Sequence, residues 1–234
     1  MPTFDSNELL ECLKTLCVLD KDWIRCTTEP DQFYNRIVHF STDKTLGVRT
    51  PQNTKLLAYV NPILLSHKPI SLKCSTNVYK NWPLGHGSHR ISGNTGPLMP
   101  TIADAKNNGF SDVLWLLDDY IKEMSILNVF VLIQSRYGHL ELITPPNDGC
   151  IVNGVTRKSI VEMGQMIFDK WGVKVVEREM SIHEMIAAGR EDRLLEMFGA
   201  ATHRSIMPIE RVVYRDTIMK LNTETGGSFG KELK

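Results

Sequence analysis

Strand-like runs that follow one another without an intervening helix constrain the fold of this chain more than any other sequence feature. Leu127–Gln134 and His139–Thr144 are rich in aliphatic residues and flank Tyr137-Gly138, which predicts a hairpin. A third run, Asp112–Leu117, precedes them. Because a doubly wound parallel sheet requires strands to alternate with helices, the paired runs predict an α+β fold with mixed strands.

Helices and further strands are predicted on both sides of these runs. Asp5, Thr101 and Ser181 each precede an acidic residue by three positions, which predicts a capped helix start. Thr156 opens another helix, with Gly172 at its end and an apolar face of Ile160, Met163, Ile167 and Trp171. The remaining predictions are a strand around Phe33, Ile37 and Val38, a buried strand over Lys55–Leu65 that breaks at Pro62, an irregular loop over Asn81–Pro100, a helix stop at Asn107-Asn108-Gly109, a strand over Val173–Glu179, a helix over Glu191–Phe198, a small-residue turn over Gly199–Thr202 and a strand over Ile209–Val213.

Charge and composition exclude several classes of protein. The chain has 27 Lys and Arg residues against 27 Asp and Glu residues, whereas nucleic-acid binding needs a basic excess. No apolar run approaches about 20 residues, so we expect no transmembrane helix and no membrane partner. The N-terminus has no signal or transit pattern, which predicts a cytoplasmic protein. Five cysteines without a C-x-x-C motif predict reduced thiols and no zinc site.

Two short segments and one acid are candidate ligand contacts from the residues alone. Gly154-Val155-Thr156 lies where a loop enters a helix, so it could bind phosphate or simply cap the helix. Gly199–Thr202 could let the backbone approach a ligand, or could end a helix. Glu123 lies between two strand-like runs, where an acid is usually a solvated turn residue. His86 and His89 have no evident third ligand, so no metal site is predicted.

Several motifs occur along the chain in an order that is typical of one enzyme family. They are Phe4-Asp5, Leu9-Leu10-Glu11-Cys12, Gly93-Asn94, Glu123 with Asn128, Thr144-Pro145-Pro146-x-Asp148-Gly149, Gly154-Val155-Thr156-Arg157, Glu196-x-Phe198-Gly199-x-x-Thr202 and Pro208. This order resembles the branched-chain amino acid aminotransferases, which are fold-type IV enzymes that use pyridoxal 5′-phosphate. The resemblance extends over residues 1–215, nearly the whole chain.

The resemblance implies a small α/β domain, a larger domain and a cofactor between them. Residues 1–58 would be the remnant of the small domain, residues 59–69 the interdomain linker and residues 70–234 the large cofactor-binding domain. Measured against the family pattern, we expect the chain to be truncated. The N-terminal segment that supplies an arginine for the cofactor phosphate and the C-terminal helix would both be missing.

The roles of the family's residues are carried over to the positions that match its motifs. Glu123 matches the acid that keeps the pyridine nitrogen of the cofactor protonated. Val155 and Thr156 match residues that hold the phosphate at a helix N-terminus, and Thr202 matches a second threonine on the phosphate side. Lys80 stands where the family usually has arginine, so a cofactor contact is expected that keeps the charge and loses the fork geometry. The implied substrate contacts are Tyr34, Arg36, Ala201 and His203.

Arg90 stands at the most consequential position of the resemblance. The family's Lys-x-Gly-Gly-Asn-Tyr is Arg90-Ile91-Ser92-Gly93-Asn94-Thr95 here, so the catalytic Schiff-base lysine is replaced. A guanidinium, with a pKa above about 12, neither forms an imine readily nor shuttles a proton. Impaired or absent catalysis is therefore expected. Lys80 and Lys122 are the nearest substitutes by sequence, and Lys122 should point to the face of its strand opposite Glu123.

These expectations leave three hypotheses for function. The resemblance implies amino transfer between leucine, isoleucine or valine and 2-oxoglutarate, so the substrates would be small amino acids and 2-oxo acids. Arg90 favours a non-catalytic relative that binds a phosphate ligand, or that pairs with an active paralogue as a regulatory or structural partner. A homodimer is also expected from the family. A third hypothesis is a relic without a stable fold, because half of a small domain would leave apolar surface uncovered.

Overall fold

The structure is a computed structural model that describes residues 2–24, 32–45, 47–63, 68–167 and 172–221. The chain divides into two compact units, Met1–Ser66 and His67–Lys234. This division falls inside the segment expected to be a linker, residues 59–69. Residues 59–63 of that segment belong to a strand. None of the described helices is both long and apolar enough to cross a membrane.

The first unit contains two helices and a two-stranded sheet. Helix α1 (Ser6–Leu19) begins as predicted, because the Asp5 carboxylate accepts hydrogen bonds from the N–H groups of Asn7 and Glu8. Helix α2 (Lys21–Ile24) follows it. Strands β1 (Gln32–Ser41) and β2 (Thr54–Ile63) pair antiparallel, with Gln32 opposite Ile63 and Ser41 opposite Thr54.

The prediction for β2 is wrong in two respects. The strand continues through Pro62, which lies opposite Phe33, instead of breaking there. A proline is tolerated because, within the described residues, β2 pairs on one side only, and an edge strand does not need every N–H group. The strand is also not buried, since the side chains of Leu56, Leu57 and Tyr59 are exposed.

A mixed sheet forms the second unit. Its strands are β3 (Ile70–Cys74), β4 (Asp112–Leu117), β5 (Tyr120–Met124), β6 (Asn128–Gln134), β7 (Leu140–Thr144), β8 (Val173–Glu177), β9 (Leu194–Ala201), β10 (Ser205–Tyr214) and β11 (Thr217–Lys220). The order is β11-β10-β3-β4-β5-β6-β7-β8, and β9 pairs with both β6 and β10. Strands β10, β3, β4, β5, β6 and β9 therefore close into a ring, with β11, β7 and β8 outside it. Parallel and antiparallel pairs both occur, so the α+β prediction with mixed strands is confirmed.

Helices cover this sheet. Helices α3 (Ser92–Thr95) and α4 (Met99–Asn107) are joined by a 3-10 turn over Gly96–Leu98, followed later by α5 (Val155–Ile167) and α6 (Ile182–Arg190). Helix α4 packs on β4 through Ile102, Ala105 and Trp115. Helix α5 packs through Ile160 on a cluster centred on the rings of Phe130 and Phe198, which stack 5.1 Å apart. Helix α6 contributes Ile182, Met185 and Ala188 to the largest core cluster.

Local signals predicted several elements correctly. The Ser181 hydroxyl accepts from Glu184 N–H at the start of α6, and Asn108 and Gly109 end α4 as expected. The Tyr137-Gly138 turn joins β6 to β7, with Gly138 at a positive φ of 85°. On the expected face of α5, Ile160 is buried and Met163 is exposed, while Trp171 lies outside the described residues.

Several predictions in the second unit are wrong. The segment Asn81–Pro100, expected to be an irregular loop, contains α3, the 3-10 turn and the start of α4. Residues 194–198 form strand β9 and not part of a helix over Glu191–Phe198, because they hydrogen-bond between β6 and β10. Gly199, Ala200 and Ala201 continue that strand, so the turn begins at Thr202 and not at Gly199. The Thr101 capping box is also absent: α4 starts at Met99 directly from the 3-10 turn, with no side-chain cap.

Candidate active site

Glu123 lies in the middle of the sheet and not in a solvated turn, which corrects the expectation from the residues alone. It belongs to β5, opposite Trp115 of β4 and Asn128 of β6, and the residue is 1% exposed. Its Oε1 accepts hydrogen bonds from Lys80 Nζ at 2.6 Å and Asn81 Nδ2 at 2.8 Å. Its Oε2 accepts from the backbone N–H of Val152 at 3.2 Å. A buried carboxylate is stable only with such partners.

Lys80 supplies the positive charge next to this acid. The residue is 8% exposed, and Nζ also donates to the carbonyl oxygens of Met124, at 3.3 Å, and Ser125, at 3.2 Å. An ammonium has three donors, and these three acceptors use all of them. The Lys80 side chain is therefore directed at Glu123 and at the β5–β6 turn, with no donor left for a phosphate.

The segment before α5 is fixed to the same two strands. Val152 donates to Glu123 through its N–H and accepts from Asn128 Nδ2 through its carbonyl, at 2.8 Å. Gly154 has to be glycine, because a side chain there would collide with the Asn128 amide. Helix α5 begins at the next residue, Val155. Glu123 and Asn128 thus position the start of the helix.

Helix α5 opens with a geometry that suits an anion. The first N–H groups of a helix have no intrahelical acceptor, and the helix dipole favours negative charge there. Val155 is 70% exposed and Thr156 is half-buried, so this end of the helix is accessible within the second unit. The buried Arg157 holds it in place, with Nη2 donating to Pro145 O at 2.6 Å and to Glu177 Oε2 at 2.5 Å.

The β9–β10 turn carries the remaining predicted contacts of this unit. Ala200 lies opposite Asn128 across the β6–β9 pair, and Asn128 donates in turn to the carbonyl oxygen of Val152. Ala201 is buried, Thr202 is exposed and His203 is half-buried. Burial lowers the pKa of His203, and the positive charges of Arg90 and Arg204 lower it further.

Arg90 lies at the tip of the β5–β6 hairpin. Its Nη2 donates to the carbonyl oxygen of Ile126 at 2.9 Å, and its charge acts on His203. The residue is exposed. Arg90 therefore lies near His203 of the β9–β10 turn. Lys80, which precedes Arg90 in the segment between β3 and α3, binds the buried carboxylate of Glu123 instead.

Lys122 lies on the other face of β5, as the strand alternation predicted. Its Nζ donates to Glu179 at 2.8 Å and to Asp148 at 3.4 Å. Burial lowers the pKa of Lys122, but the two carboxylates outweigh it and the net shift is upward. A lysine that stays charged is a poor nucleophile, so Lys122 is poorly suited to form an imine.

Two of the predicted substrate contacts lie in the first unit. Tyr34 and Arg36 lie on β1 of the first unit, with Tyr34 half-buried and Arg36 exposed, and their roles stay a prediction. The His86 and His89 rings contact each other edge to face at 6.0 Å. Among the described residues, no group of three His, Cys, Asp or Glu side chains is placed to hold a metal ion.

Sequence reasoning missed the residues that fix Glu123. Asn81 is 2% exposed and binds both Glu123 and the carbonyl of Cys150, and the Val152 backbone completes the set. Asn81 is the first residue of the segment that the sequence predicts to be an irregular loop. The sequence offered one signal, which is that the neighbouring Lys80 occupies a position of the family pattern. A single sequence does not show that Lys80 and Asn81 both contact an acid 43 and 42 positions away.

Solved structures superpose on this chain, and two of them are branched-chain amino acid aminotransferases. Branched-chain amino acid aminotransferase from Escherichia coli superposes with a TM-score of 0.77 over 100% of this chain and 70% of that chain, at 21% identity. The enzyme from Thermobaculum terrenum, in its PLP form, superposes with a TM-score of 0.69 over 91% of this chain and 64% of that chain, at 20% identity. The chain therefore has the fold-type IV aminotransferase fold, as predicted.

The sequence identifies the family. Residues 4–212 match the amino-transferase class IV family, and the chain belongs to it. A branched-chain-amino-acid aminotransferase of Dictyostelium discoideum is 35% identical over 92% of this chain and 57% of its own length. The mitochondrial enzyme of Bos taurus is 32% identical over 100% of this chain and 62% of its own length. The cytosolic enzyme of Mus musculus is 32% identical over 97% of this chain and 60% of its own length. The chain thus spans about 60% of the length of these curated relatives.

Class IV aminotransferases bind pyridoxal 5′-phosphate, so the residues of this chain can be tested against that group. The start of α5, with Thr156 and the exposed Val155, fits a phosphate. The acid for a ring nitrogen is present, but the side chain of Glu123 is 2% exposed and is hydrogen-bonded inside the protein. The motif resemblance matches Arg90 to the Schiff-base lysine, and a guanidinium does not readily form an imine with the aldehyde. The site fits the phosphate of the cofactor and does not fit its ring nitrogen or its aldehyde.

Proposed function

We propose that this chain is a branched-chain aminotransferase-like protein that holds a phosphate-bearing ligand at the start of α5 and does not transaminate. Arg90 carries the proposal. The resemblance places it where the family has its Schiff-base lysine, and its guanidinium is directed at the carbonyl of Ile126. Because a guanidinium stays protonated, Arg90 can neither form an imine nor accept a proton from a substrate α-carbon.

The start of α5 and the β9–β10 turn still have a binding role. The N–H groups of Val155 and Thr156 would donate to phosphate oxygens, and Thr202 would add a hydroxyl from the β9–β10 turn. Pyridoxal 5′-phosphate, the cofactor of the family, would supply an electron sink when bound, but the residues that exploit it are altered here. We also propose substrate contacts by four residues on the basis of the family resemblance, namely Tyr34, Arg36, Ala201 and His203.

A spectroscopic experiment tests this function. Purified chain is mixed with pyridoxal 5′-phosphate, treated with borohydride and digested, beside Arg90→Lys and a control, Arg136→Lys, on the β6–β7 turn, where the side chain is 75% exposed. The parent and the control should perturb the ligand spectrum, in competition with inorganic phosphate, without forming a reduced adduct at one residue. Arg90→Lys should form an adduct at position 90.

Two results contradict the proposal. A single reduced lysine in the parent, released by leucine before reduction, would mean that another amine performs the chemistry. Failure of every variant to bind pyridoxal 5′-phosphate or inorganic phosphate would remove the ligand-binding role.

A second role is favoured by the surface of the first unit. Helix α1 buries none of its residues within the described chain, and Val18, Leu19 and Trp23 are 64%, 75% and 79% exposed. Apolar side chains in this number suit a protein interface. We propose a second copy or an active paralogue as the partner. Light scattering after gel filtration should give twice the mass of the chain, or a heterodimer when a full-length class IV paralogue is added, and a monomer in both samples would refute this role.

The compartment is also a proposal. We infer that the chain acts in the cytosol, with support from its similarity to the cytosolic enzyme of Mus musculus. Mitochondrial relatives are equally similar, such as the enzyme of Bos taurus. Cell fractionation followed by immunodetection separates the two locations.

A further inference from the structure

A cavity of about 580 Å³ lies in the second unit, between one face of α6 and the turn that joins β10 to β11. Small-molecule sites have volumes of about 300–1,000 Å³. Two residues of the lining, His183 and Tyr214, hydrogen-bond to Asp119 just before β5, whereas Glu123 lies near the other end of that strand. The cavity is therefore separate from the candidate active site.

The helix contributes an apolar surface with a cation at its end. Ile186 and Ala187 are half-buried and line the cavity. They share one face of α6 with His183 and Arg190, because residues three and four positions apart are neighbours on a helix. An apolar surface beside a charged group suits a ligand that has both an apolar body and a charge.

The β10–β11 turn contributes a second cation on a fixed support. Tyr214 is 4% exposed, and its hydroxyl donates to Asp119 Oδ1 at 2.8 Å. The His183 ring packs edge to face against the Tyr214 ring at 5.7 Å. The guanidinium of Arg215 lies 5.2 Å from the centre of the Tyr214 ring, so the ring helps to position this charge at the edge of the cavity.

The backbone of Arg215 is strained. Arg215 and Asp216 form the two-residue loop between the paired residues Tyr214 and Thr217, and the φ of Arg215 is 52°, in the left-handed region that favours glycine. Glycine would adopt this angle at no steric cost. The arginine therefore lowers the stability of the turn while it supplies a cation, and strain of this kind is concentrated at binding sites.

Neither arginine of the cavity is paired with a carboxylate. Among the residues that the structure describes, Arg190 and Arg215 are exposed and form no ion pair. Of the two acids in the lining, Glu191 binds Arg193 at 2.6 Å, and Asp216 reaches neither arginine. A guanidinium presents parallel N–H donors that match the two oxygens of a carboxylate. The cavity thus combines two guanidinium groups that can bind an anion with an apolar surface.

We propose that the cavity between α6 and the β10–β11 turn is a binding site for a carboxylate attached to an apolar body, that is, an aliphatic or aromatic monocarboxylate. Arg190 and Arg215 bind the carboxylate, and Ile186 and Ala187 contact the apolar body. The site shares no residue with the phosphate-binding role proposed above, so it does not depend on that role.

Fluorine NMR of 4-fluorobenzoate titrated with the full chain at low ionic strength tests the proposal. Benzoate, benzamide and acetate are then added as competitors. Benzoate should displace the probe. Benzamide lacks the charge and acetate lacks the apolar body, so each should compete at least about tenfold more weakly than benzoate.

Two substitutions locate the site. Arg190→Gln and Arg215→Gly should each weaken binding of 4-fluorobenzoate by about tenfold, since a hydrogen bond to a charged group is of that order. Arg215→Gly should unfold at a urea concentration no lower than the parent chain, because glycine relieves the left-handed φ. Its weaker binding is then not a consequence of misfolding. Arg49→Gln is the matched control, because Arg49 belongs to the first unit, has a side chain 52% exposed and should leave the affinity unchanged.

Three results would overturn the proposal. The first is a parent chain that does not bind 4-fluorobenzoate. The second is benzamide competing as well as benzoate, which would show that the arginines do not read the charge. The third is an affinity that survives both cavity substitutions, because the carboxylate would then be bound elsewhere, and loss of binding in Arg90→Gln would place it near the β9–β10 turn.

Discussion

Removing either partner of the buried pair should destabilise the second unit far more than removing both. In Lys80→Met, Glu123 keeps two neutral donors but loses its only cation, and the carbonyls of Met124 and Ser125 lose a donor. Breaking a buried pair from one side costs about 3–5 kcal/mol. Glu123→Gln should cost a similar amount, because it leaves the ammonium of Lys80 buried without an anion.

The double variant should restore much of this loss. Replacing both charges removes the uncompensated ion, so Lys80→Met with Glu123→Gln should be no less stable than either single variant. Urea unfolding is followed by tryptophan fluorescence. Trp115 is fully buried and lies opposite Glu123 across the β4–β5 pair, whereas Trp23 and Trp82 are exposed, so Trp115 reports the second unit.

One control variant makes the double-mutant comparison interpretable. Lys73→Met breaks an ion pair whose side chains are 42% and 60% exposed, and should leave the free energy of unfolding nearly unchanged. If the double variant loses as much free energy of unfolding as the two single variants together, Lys80 and Glu123 are not a coupled charge pair. A loss below about 1 kcal/mol for Lys80→Met would refute the burial argument as well.

Three further predictions follow from the core and from two perturbed groups. Phe198→Ala removes a buried ring from the cluster centred on Phe130 and Phe198, and should lower the free energy of unfolding in urea by about 3–5 kcal/mol. Arg90→Gln should raise the pKa of His203 part of the way to its ordinary value, measured by NMR titration, because the nearby charge disappears while burial remains. Tyr214→Phe should raise the pKa of Asp119, which the tyrosine hydroxyl holds down by a hydrogen bond of 2.8 Å, and should flatten the acid loss of stability below about pH 4.

The signs of the two pH effects follow from linkage. Asp119 has a lowered pKa in the folded state, so its contribution is present above the unfolded pKa and is lost as the pH falls through the folded one. His203 also has a lowered pKa, so the unfolded chain takes up its proton first and stability declines below about pH 6.5. A steeper acid loss in Tyr214→Phe, or a lower pKa of His203 in Arg90→Gln, would contradict these assignments.

Short-range sequence signals were enough to predict the helix starts and the turn whose hydrogen bonds or backbone angles depend on neighbouring residues. Asp5 and Ser181 cap their helices because a carboxylate or hydroxyl reaches N–H groups two or three residues away. Gly138 turns β6 into β7 because glycine adopts positive φ at no steric cost. The family motif at Gly154 also lies where expected, at the start of α5.

The sequence by itself determined the fold class, the family and the position at which α5 begins, because these depend on local patterns and contiguous motifs. Only the tertiary structure decided the rest. Leu194–Ala201 is a strand because β6 and β10 supply hydrogen bonds on both sides, against its local helical pattern. Lys80 faces Glu123 because two segments 43 residues apart meet at β5, and burial there forces the two charges to pair with each other.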